Sequence, residues 1–371
     1  MQFSCEKVQL LQAVATASRT VATKSAIQSL EGLLIEAGSG LHISGYDLKT
    51  GIRTAIPAEV TEPGSVVLNA RLLGEIIRKA PDDIVTVTCD ERLMTRIVSG
   101  ASVFNIIGMP SADFPELPTV DRMNSLTIPQ KTLKSMIAQT NFAVSDNESR
   151  PIHTGELFEV ENGILNIVAV DGYRLALRRE KYSSADSETM KFVVPGTALS
   201  EAEKIMGDTE DAVGIFVGQK HILFSIGSTE LVSRRLEGEF LNYRNSIPKT
   251  GKFSVDADRR DVIQSVERVS LIISDKLKSP VRCVFDENVL HISSSSALGK
   301  ASDDCIVEGD GENLEIGFNN KYLLDALRAS PSDRIRIQLS SGVTPCVIVP
   351  AGEEKNFICM ILPVRLKANE G

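Results

Sequence analysis

The sequence predicts an α+β protein of three similar tandem domains, each with two helices packed on antiparallel sheets. Three observations carry this. One strand-then-helix pattern starts three times along the 371 residues, at Met1-Gln2-Phe3-Ser4, Ser125-Leu126-Thr127-Ile128 and Lys252-Phe253-Ser254-Val255. Runs such as Leu41-His42-Ile43-Ser44 and Val85-Thr86-Val87-Thr88 alternate with the period of half-buried strands. Two helix-period stretches punctuate each copy, and helices on one face of an antiparallel sheet make a stable layered domain. The domains are placed at 1–120, 125–247 and 248–371, each of ordinary domain size and able to bury its own core.

Each copy opens with a strand and passes into a helical window, at 7–24, 131–150 and 259–276. The apolar stripes are read as Val8, Leu11, Val14 and Ala15, then Leu133, Met136 and Ile137, then Val262, Ile263, Val266 and Val269. A strand pair is expected next, over 32–53, 155–179 and 282–304. Asp171-Gly172, between apolar runs at 164–170 and 173–179, signals a hairpin. The second helices, at 70–80, 196–206 and 319–330, stop at Pro81, Gly207 and Pro331. Pro115-Glu116-Leu117-Pro118 and Asn245-Ser246-Ile247-Pro248 link consecutive copies, and proline stiffens both.

Composition excludes several classes. No apolar run approaches the ~18 residues of a membrane span, so no membrane partner is expected. Residues 1–6 carry neither a basic n-region nor an apolar h-region, so no secretory signal is expected and the protein is placed in the cytoplasm. The six cysteines form no CxxC pair and the four histidines no ligand spacing. Reduced, buried thiols are expected, with no metal and no cofactor. No P-loop, GxGxxG with a following acid, or GxSxG occurs, which leaves no nucleotide or hydride chemistry.

Net charge is −9, which at first argues against nucleic acid. The three copies carry −3, −4 and −2, so none is a basic module. The six helical windows nevertheless total +7, leaving −16 for strands and loops. If those helices share a surface, it is positive on an acidic body; ordinary solvated helix faces would give the same charge. Domains of this size have a diameter of roughly 35 Å. Three in a ring leave a hole about 5 Å wide and six leave about 35 Å, against about 20 Å for B-DNA. One chain cannot surround a duplex. Two joined head to tail can, since heterologous contacts that complete a rotation close a ring.

Four motifs then resemble a known family. They are Ser111-Ala112-Asp113-Phe114-Pro115, Asp171-Gly172-Tyr173-Arg174-Leu175-Ala176, Glu239-Phe240 with Tyr243-Arg244, and Ile361-Leu362-Pro363-Val364-Arg365-Leu366. In this order, over essentially the whole chain, they resemble the bacterial DNA polymerase III beta subunit, the processivity sliding clamp. The resemblance implies the DNA clamp fold, with each chain forming half of a closed homodimeric ring, and a non-catalytic role in DNA replication. Its implied partners are double-stranded DNA, bound without regard to sequence, the replicative DNA polymerase, the clamp loader, other polymerases, mismatch repair protein and ligase.

The resemblance also implies site residues. A hydrophobic cleft for partner peptides is bordered by Gly172, Arg174 and Leu175, by Leu241 and Tyr243, and by Tyr322, Val343 and Pro345. Met360, Leu362, Pro363, Val364 and Arg365 complete it; a plain C-terminal edge strand would also explain Leu362-Pro363-Val364. Resemblance or helix position makes Lys24, Arg71, Lys79, Asn147, Arg150 and Lys321 candidates for DNA phosphates, which carry no sequence information. With no Trp and five Tyr, a base-stacking platform is not expected. Phe104 and Ile106 at one end, with Ile272 and Ile273 at the other, are implied at the ring joint. Departures fall at His153, where the family has an apolar residue, at Leu241, where it has proline, and at Ser246. Lys367 to Gly371 run past the family's usual end.

Two other readings fit parts of the sequence. Ser4-Cys5-Glu6-Lys7, Ser145-Asp146-Asn147 and Lys249-Thr250-Gly251 match the penicillin-recognising serine set in order. Each falls in a different copy, Ser4 lies in a strand, and Lys49-Thr50-Gly51 repeats the third motif by chance. A structural scaffold with no DNA role is the other alternative.

Overall fold

The computed structural model describes residues 1–182, 189–273, 279–309, 311–352 and 356–366. It divides into two compact units, Met1–Lys134 with Thr197–Arg235, and Ser135–Gly196 with Leu236–Gly371. The middle repeat is therefore shared. Part of it completes one unit and part the other.

Among the described residues six longer helices form: α1 (Lys7–Ala17), α2 (Ala70–Lys79), α3 (Gln130–Ala138), α4 (Gly196–Ile205), α5 (Arg259–Ser270) and α6 (Asn320–Ala329). Their starts are chemically marked. Asn69 Oδ1 accepts from Leu72 N at 2.9 Å, Asp258 Oδ1 from Arg260 N at 2.8 Å, and Asn319 Oδ1 from Lys321 N at 3.0 Å. Lys7 Nζ donates to the Ala80 carbonyl at 2.5 Å, satisfying the end of α2.

The first helix of each repeat is shorter than its sequence window. After α1 the chain tightens into a 3-10 turn at Ser18–Thr20, and after α3 into another at Asn141–Ala143. The end of the third window, 274–276, lies outside the described residues, as does the extension from Lys367 to Gly371. The stripe on α1 also has a different phase from that expected. Leu10, Ala13, Val14 and Ala17 are buried, whereas Val8 is 72% exposed and Ala15 faces out. On α3, Leu133, Met136 and Ile137 are fully buried, and on α5 so are Val262, Val266 and Val269.

In the first unit, five antiparallel strands run in the order Glu59–Glu62, Gln2–Glu6, Ile84–Cys89, Met94–Ser99, Ser102–Ile107. Eight more form a second sheet, Ser125–Pro129, Ala212–Val217, His221–Ile226 and Thr229–Arg234 continuing into Thr50–Ile56, Leu41–Tyr46, Gly32–Ala37 and Gly64–Asn69. The seam between repeats is main-chain pairing, with Leu231 opposite Ile52.

The second unit repeats the device. Met190–Pro195, Gly155–Glu161, Ile164–Val170 and Arg174–Lys181 continue into Phe357–Ile361, Cys346–Pro350, Arg334–Leu339 and Phe253–Asp258. Leu175 lies opposite Met360 across that seam. Gly299–Glu308, Val289–Ser296, Val281–Asp286 and Leu314–Phe318 complete the sheet, joined to it among the described residues through Asp256↔Glu308 and Ala257↔Val307. Where the sequence suggested a strand pair in each copy, three strands form, because each segment turns twice. What joins the repeats within each unit is a continuous ladder, and the proline-bearing links are secondary. All six cysteines are buried and unpaired; burial pushes the Cys283 and Cys359 thiols up to about 12.

Candidate functional site

The Asp171 hairpin forms, one residue displaced from the expected turn. Gly172 has φ +92 and Tyr173 has no positive φ, so the loop pair is Gly172-Tyr173, the arrangement of a II′ turn. A Cβ on Gly172 would meet nothing within 4 Å, so it is the backbone angle that requires glycine. Asp171 Oδ1 accepts from Tyr173 N at 2.9 Å and Arg174 N at 3.0 Å, closing the turn.

The turn aims Arg174 into the seam between repeats two and three. Arg174 is 6% exposed. Its Nε donates to Asp171 Oδ2 at 2.9 Å, Nη1 to Asp325 Oδ2 on α6 at 2.6 Å, and Nη2 to the Phe142 carbonyl at 2.5 Å. The guanidinium also lies over the Tyr322 ring, 4.4 Å from its centroid. Burial alone would lower its pKa, but the bonds to Asp325 and Asp171 outweigh that and raise it above its ordinary value. The charge is thus locked in place.

The C-terminal segment is pinned to the same turn. Leu362 N donates to the Tyr173 carbonyl and Val364 N to the Gly317 carbonyl, both at 2.8 Å. Pro363 sits between them, at the one position where no N–H is needed. Any Cβ on Gly317 would lie 2.6 Å from Val364 O, so glycine is needed for this approach. The preceding Phe357–Ile361 is an interior strand, paired on both sides, and beyond it Val364 makes an isolated antiparallel bridge to Gly317 of the end strand Leu314–Phe318.

Leu175, Met360 and Tyr243 belong to one buried cluster with Leu177 and Val347. Tyr243 donates its hydroxyl to Glu159 Oε2 at 2.6 Å; burial first, then that carboxylate, raises its pKa. Tyr173, Leu241, Val343 and Val364 are exposed apolar side chains, while Pro345, Leu362 and Pro363 are half-buried and Arg365 is exposed. Tyr173 stacks on Tyr322 with ring centroids 6.2 Å apart.

A cavity of about 480 Å³ beside them is lined by Arg174, Tyr322 and Val364, and also by Asn147, Lys321 and Ile273. Residues expected in three separate roles thus share one cavity. Ile273 packs against the core of its own repeat, and the Ile272 carbonyl accepts from Ser296 Oγ at 2.7 Å. Phe104 and Ile106 likewise pack against their own core, and Val103 and Ile107 of the same strand face outward.

Lys24, Arg71, Lys79, Asn147, Arg150 and Lys321 are all exposed. None of the five cations pairs with a carboxylate among the described residues, unlike Arg78, Arg268 and Arg328, which pair with Glu75, Asp303 and Glu267. The helices as formed carry +1, +2, +2, −1, +1 and +1 in chain order, a surplus of six positive charges. The serine-enzyme motifs are used otherwise: Ser4 Oγ lies 3.0 Å from Thr86 Oγ1, and Lys7 caps α2. Among the described residues no cluster of His, Cys, Asp and Glu could hold a metal, and no helix is long and apolar enough to cross a membrane.

Comparison with known proteins decides the family. Profiles of the DNA polymerase III beta subunit match along the chain, the N-terminal domain at 1–118, the central domain at 127–242 and the C-terminal domain at 244–365. The beta sliding clamp of Halalkalibacterium halodurans is 33% identical, over 98% of this chain and 100% of the relative. The chain belongs to the DNA polymerase III beta subunit family, the beta sliding clamps. A Bacillus subtilis sliding clamp structure superposes with TM-score 0.95 at 31% identity, covering 99% of this chain and all of the other. One from Pseudomonas aeruginosa, bound to griselimycin, gives 0.93 at 26% with the same coverage. This clamp is a non-catalytic processivity factor of DNA replication, and its partners are DNA and DNA polymerase.

Asp171, Tyr173, Phe142 and Asp325 were missed as site residues by sequence reasoning. Asp171 was within reach, three positions before Arg174 in the hairpin motif. Phe142 acts through its carbonyl and Asp325 lies 151 residues from Arg174, so neither left a local signal. His153, the clamp's departure from the family's apolar residue, packs edge-on against Phe240 with centroids 5.5 Å apart.

Burial, then Arg150, holds the His153 imidazole below its ordinary range; burial, then Arg234 and Lys220, does the same for His221. The folded clamp thus favours neutral rings, while the unfolded chain takes up protons near the ordinary value of about 6.5. The stability they contribute is complete above that value and is lost as pH falls towards the depressed folded values. A His153→Gln, His221→Gln double variant is expected to lose less melting temperature than the parent between about pH 6.5 and 5. Parallel curves would remove these histidines as a source of acid sensitivity.

Proposed function

We propose that two copies of this clamp close head to tail around duplex DNA in the cytoplasm and hold partner proteins through the cleft at the second seam. The observation that carries the cleft is the cavity in which the exposed Tyr173 and Val364 meet the fixed guanidinium of Arg174 and the Tyr322 ring. A linear peptide would set apolar anchors over Leu175, Met360 and Tyr243 while the rim holds its backbone. Leu362, Pro363 and Arg365 would form one wall, with Pro345, Tyr322 and the open Gly172 turn on the others. The replicative polymerase and the clamp loader, then other polymerases, mismatch repair protein and ligase, would compete for it.

Closure has support in two strands with an unpaired side. Among the described residues Ser102–Ile107 ends its sheet, and Gly299–Glu308 is paired on its second side only at its last residues. An unpaired edge is a template for pairing with another chain, so these two ends fit a head-to-tail joint that also draws on Phe104, Ile106, Ile272 and Ile273. DNA would be held loosely by Lys24, Arg71, Lys79, Arg150 and Lys321 with Asn147. A few salt-screened phosphate contacts permit sliding.

The test is topological. The clamp, loaded on a closed circular duplex, is expected to stay through a high-salt wash and to leave once the circle is cut; retention on the cut DNA would refute encirclement. A chain ending at Ile361 is expected to keep its two-chain mass and lose polymerase and loader binding. Undiminished peptide binding by that truncated chain would refute the cleft.

A further inference from the structure

On the Leu175–Leu177 face of the strand Arg174–Lys181 lies another cavity of about 480 Å³, where that strand and Ile164–Val170 meet the chain at 243–249. Its walls include Leu177, Ile247, Ile358 and the Tyr243 ring. These belong to, or pack against, the cluster that holds Leu175 and Met360 under the cleft. Leu175 and Leu177 share one face of their strand, two residues and about 7 Å apart. An extended ligand seated over Leu175 therefore reaches this cavity within two positions.

The rim differs from that of the cleft. Arg179, Arg244 and Lys249 line it against a single carboxylate, Glu161. Arg244 Nη2 donates to Glu161 Oε2 and Glu159 Oε2, each at 2.7 Å, so the acids are already taken. Among the described residues neither Arg179 nor Lys249 has an ion pair. Arg179 Nε is enclosed and has no hydrogen-bond partner. Enclosed donors are nearly always satisfied, and the arginine that carries this one lines the cavity. Apolar walls, surplus positive charge and an unsatisfied donor together describe a receptor for a carboxylate on an aliphatic stem.

We propose that this cavity receives an acidic residue flanking the apolar anchors of a partner peptide, a few positions outward from the anchor over Leu175. This rests on the cleft reading above and extends it: anchors set whether a peptide binds, and the flanking acid grades how tightly. Partners sharing the same anchors would be ranked by that acid, through charge complementarity with Arg179 and Lys249.

Three fluorescein-labelled decapeptides with identical central Leu and Phe anchors test this, one with neutral flanks, one with two Asp on the N-terminal side, one with two Asp on the C-terminal side. Anisotropy titration against the full clamp is expected to find one acidic peptide roughly three- to tenfold tighter than the neutral one. That gain should shrink as salt rises. It should also disappear in Arg179→Met and in Lys249→Ala, with the neutral peptide's Kd unchanged. Lys249 is exposed, so its substitution keeps the test decisive should Arg179→Met unfold. Equal binding of all three peptides, or a gain that survives both substitutions, overturns the proposal and leaves the cleft standing. Failure of every peptide to bind the parent clamp overturns both.

Discussion

Arg174→Ala is expected to cost about 3–5 kcal/mol, because it strands two carboxylates and a carbonyl in a nearly closed site. Asp171 and Asp325 would be left facing one another across the seam without their shared cation. For a body the size of the second unit, such a loss lowers the melting temperature by roughly 10 °C. Arg174→Lys should recover only part of it, since an ammonium cannot serve three divergent acceptors as the guanidinium fork does. Peptide binding should fall with stability, because Tyr322 loses the cation over its ring. Calorimetry on parent and variant checks this; a shift below about 2 °C would mean that the strand ladder alone holds the seam.

Disrupting the ring joint should have the largest functional effect. Ile107→Asp places a carboxylate on an end strand where the side chain is 75% exposed, so the isolated chain loses no core packing. If that strand pairs with its counterpart on a second copy, a buried, unpaired charge costs about 3–5 kcal/mol at each joint. A two-joint ring meets the cost twice, enough to weaken association by roughly 10⁴- to 10⁷-fold. Sedimentation should then report one-chain mass, and retention on closed circular DNA should vanish. Ile272→Ala with Ile273→Ala should act in the same direction but also lower stability, since Ile273 packs against its own core. An unchanged two-chain mass for Ile107→Asp would place the joint elsewhere.

The three repeats, their paired helices and the hairpin before Arg174 were legible because each depends on local period or turn chemistry. Strand partners were not. A period of two tells which face is buried but not which distant strand lies alongside, so pairing of Thr229–Arg234 with Thr50–Ile56 left no trace in either segment. On α1, apolar residues at several phases allowed a stripe through Val8 when the buried one runs through Leu10 and Ala17. The strand holding Val103, Phe104, Ile106 and Ile107 is apolar on both faces, and its alternation could not reveal which residues look inward. Arg174 could be named by resemblance, but the reason it must be arginine lies in Asp325 and the Phe142 carbonyl, brought close only by the folded chain.

Because ladders run across the repeat boundaries, the middle third of the chain is not a self-sufficient module. Cut out alone, it would carry two raw margins, at Thr229–Arg234 and Arg174–Lys181, each bristling with unmet amides and carbonyls. During synthesis the first margin finds Thr50–Ile56 already waiting, but the second stays bare until Phe357–Ile361 leaves the ribosome. Over that interval the nascent chain is at its most adhesive, and chaperone capture would matter most there.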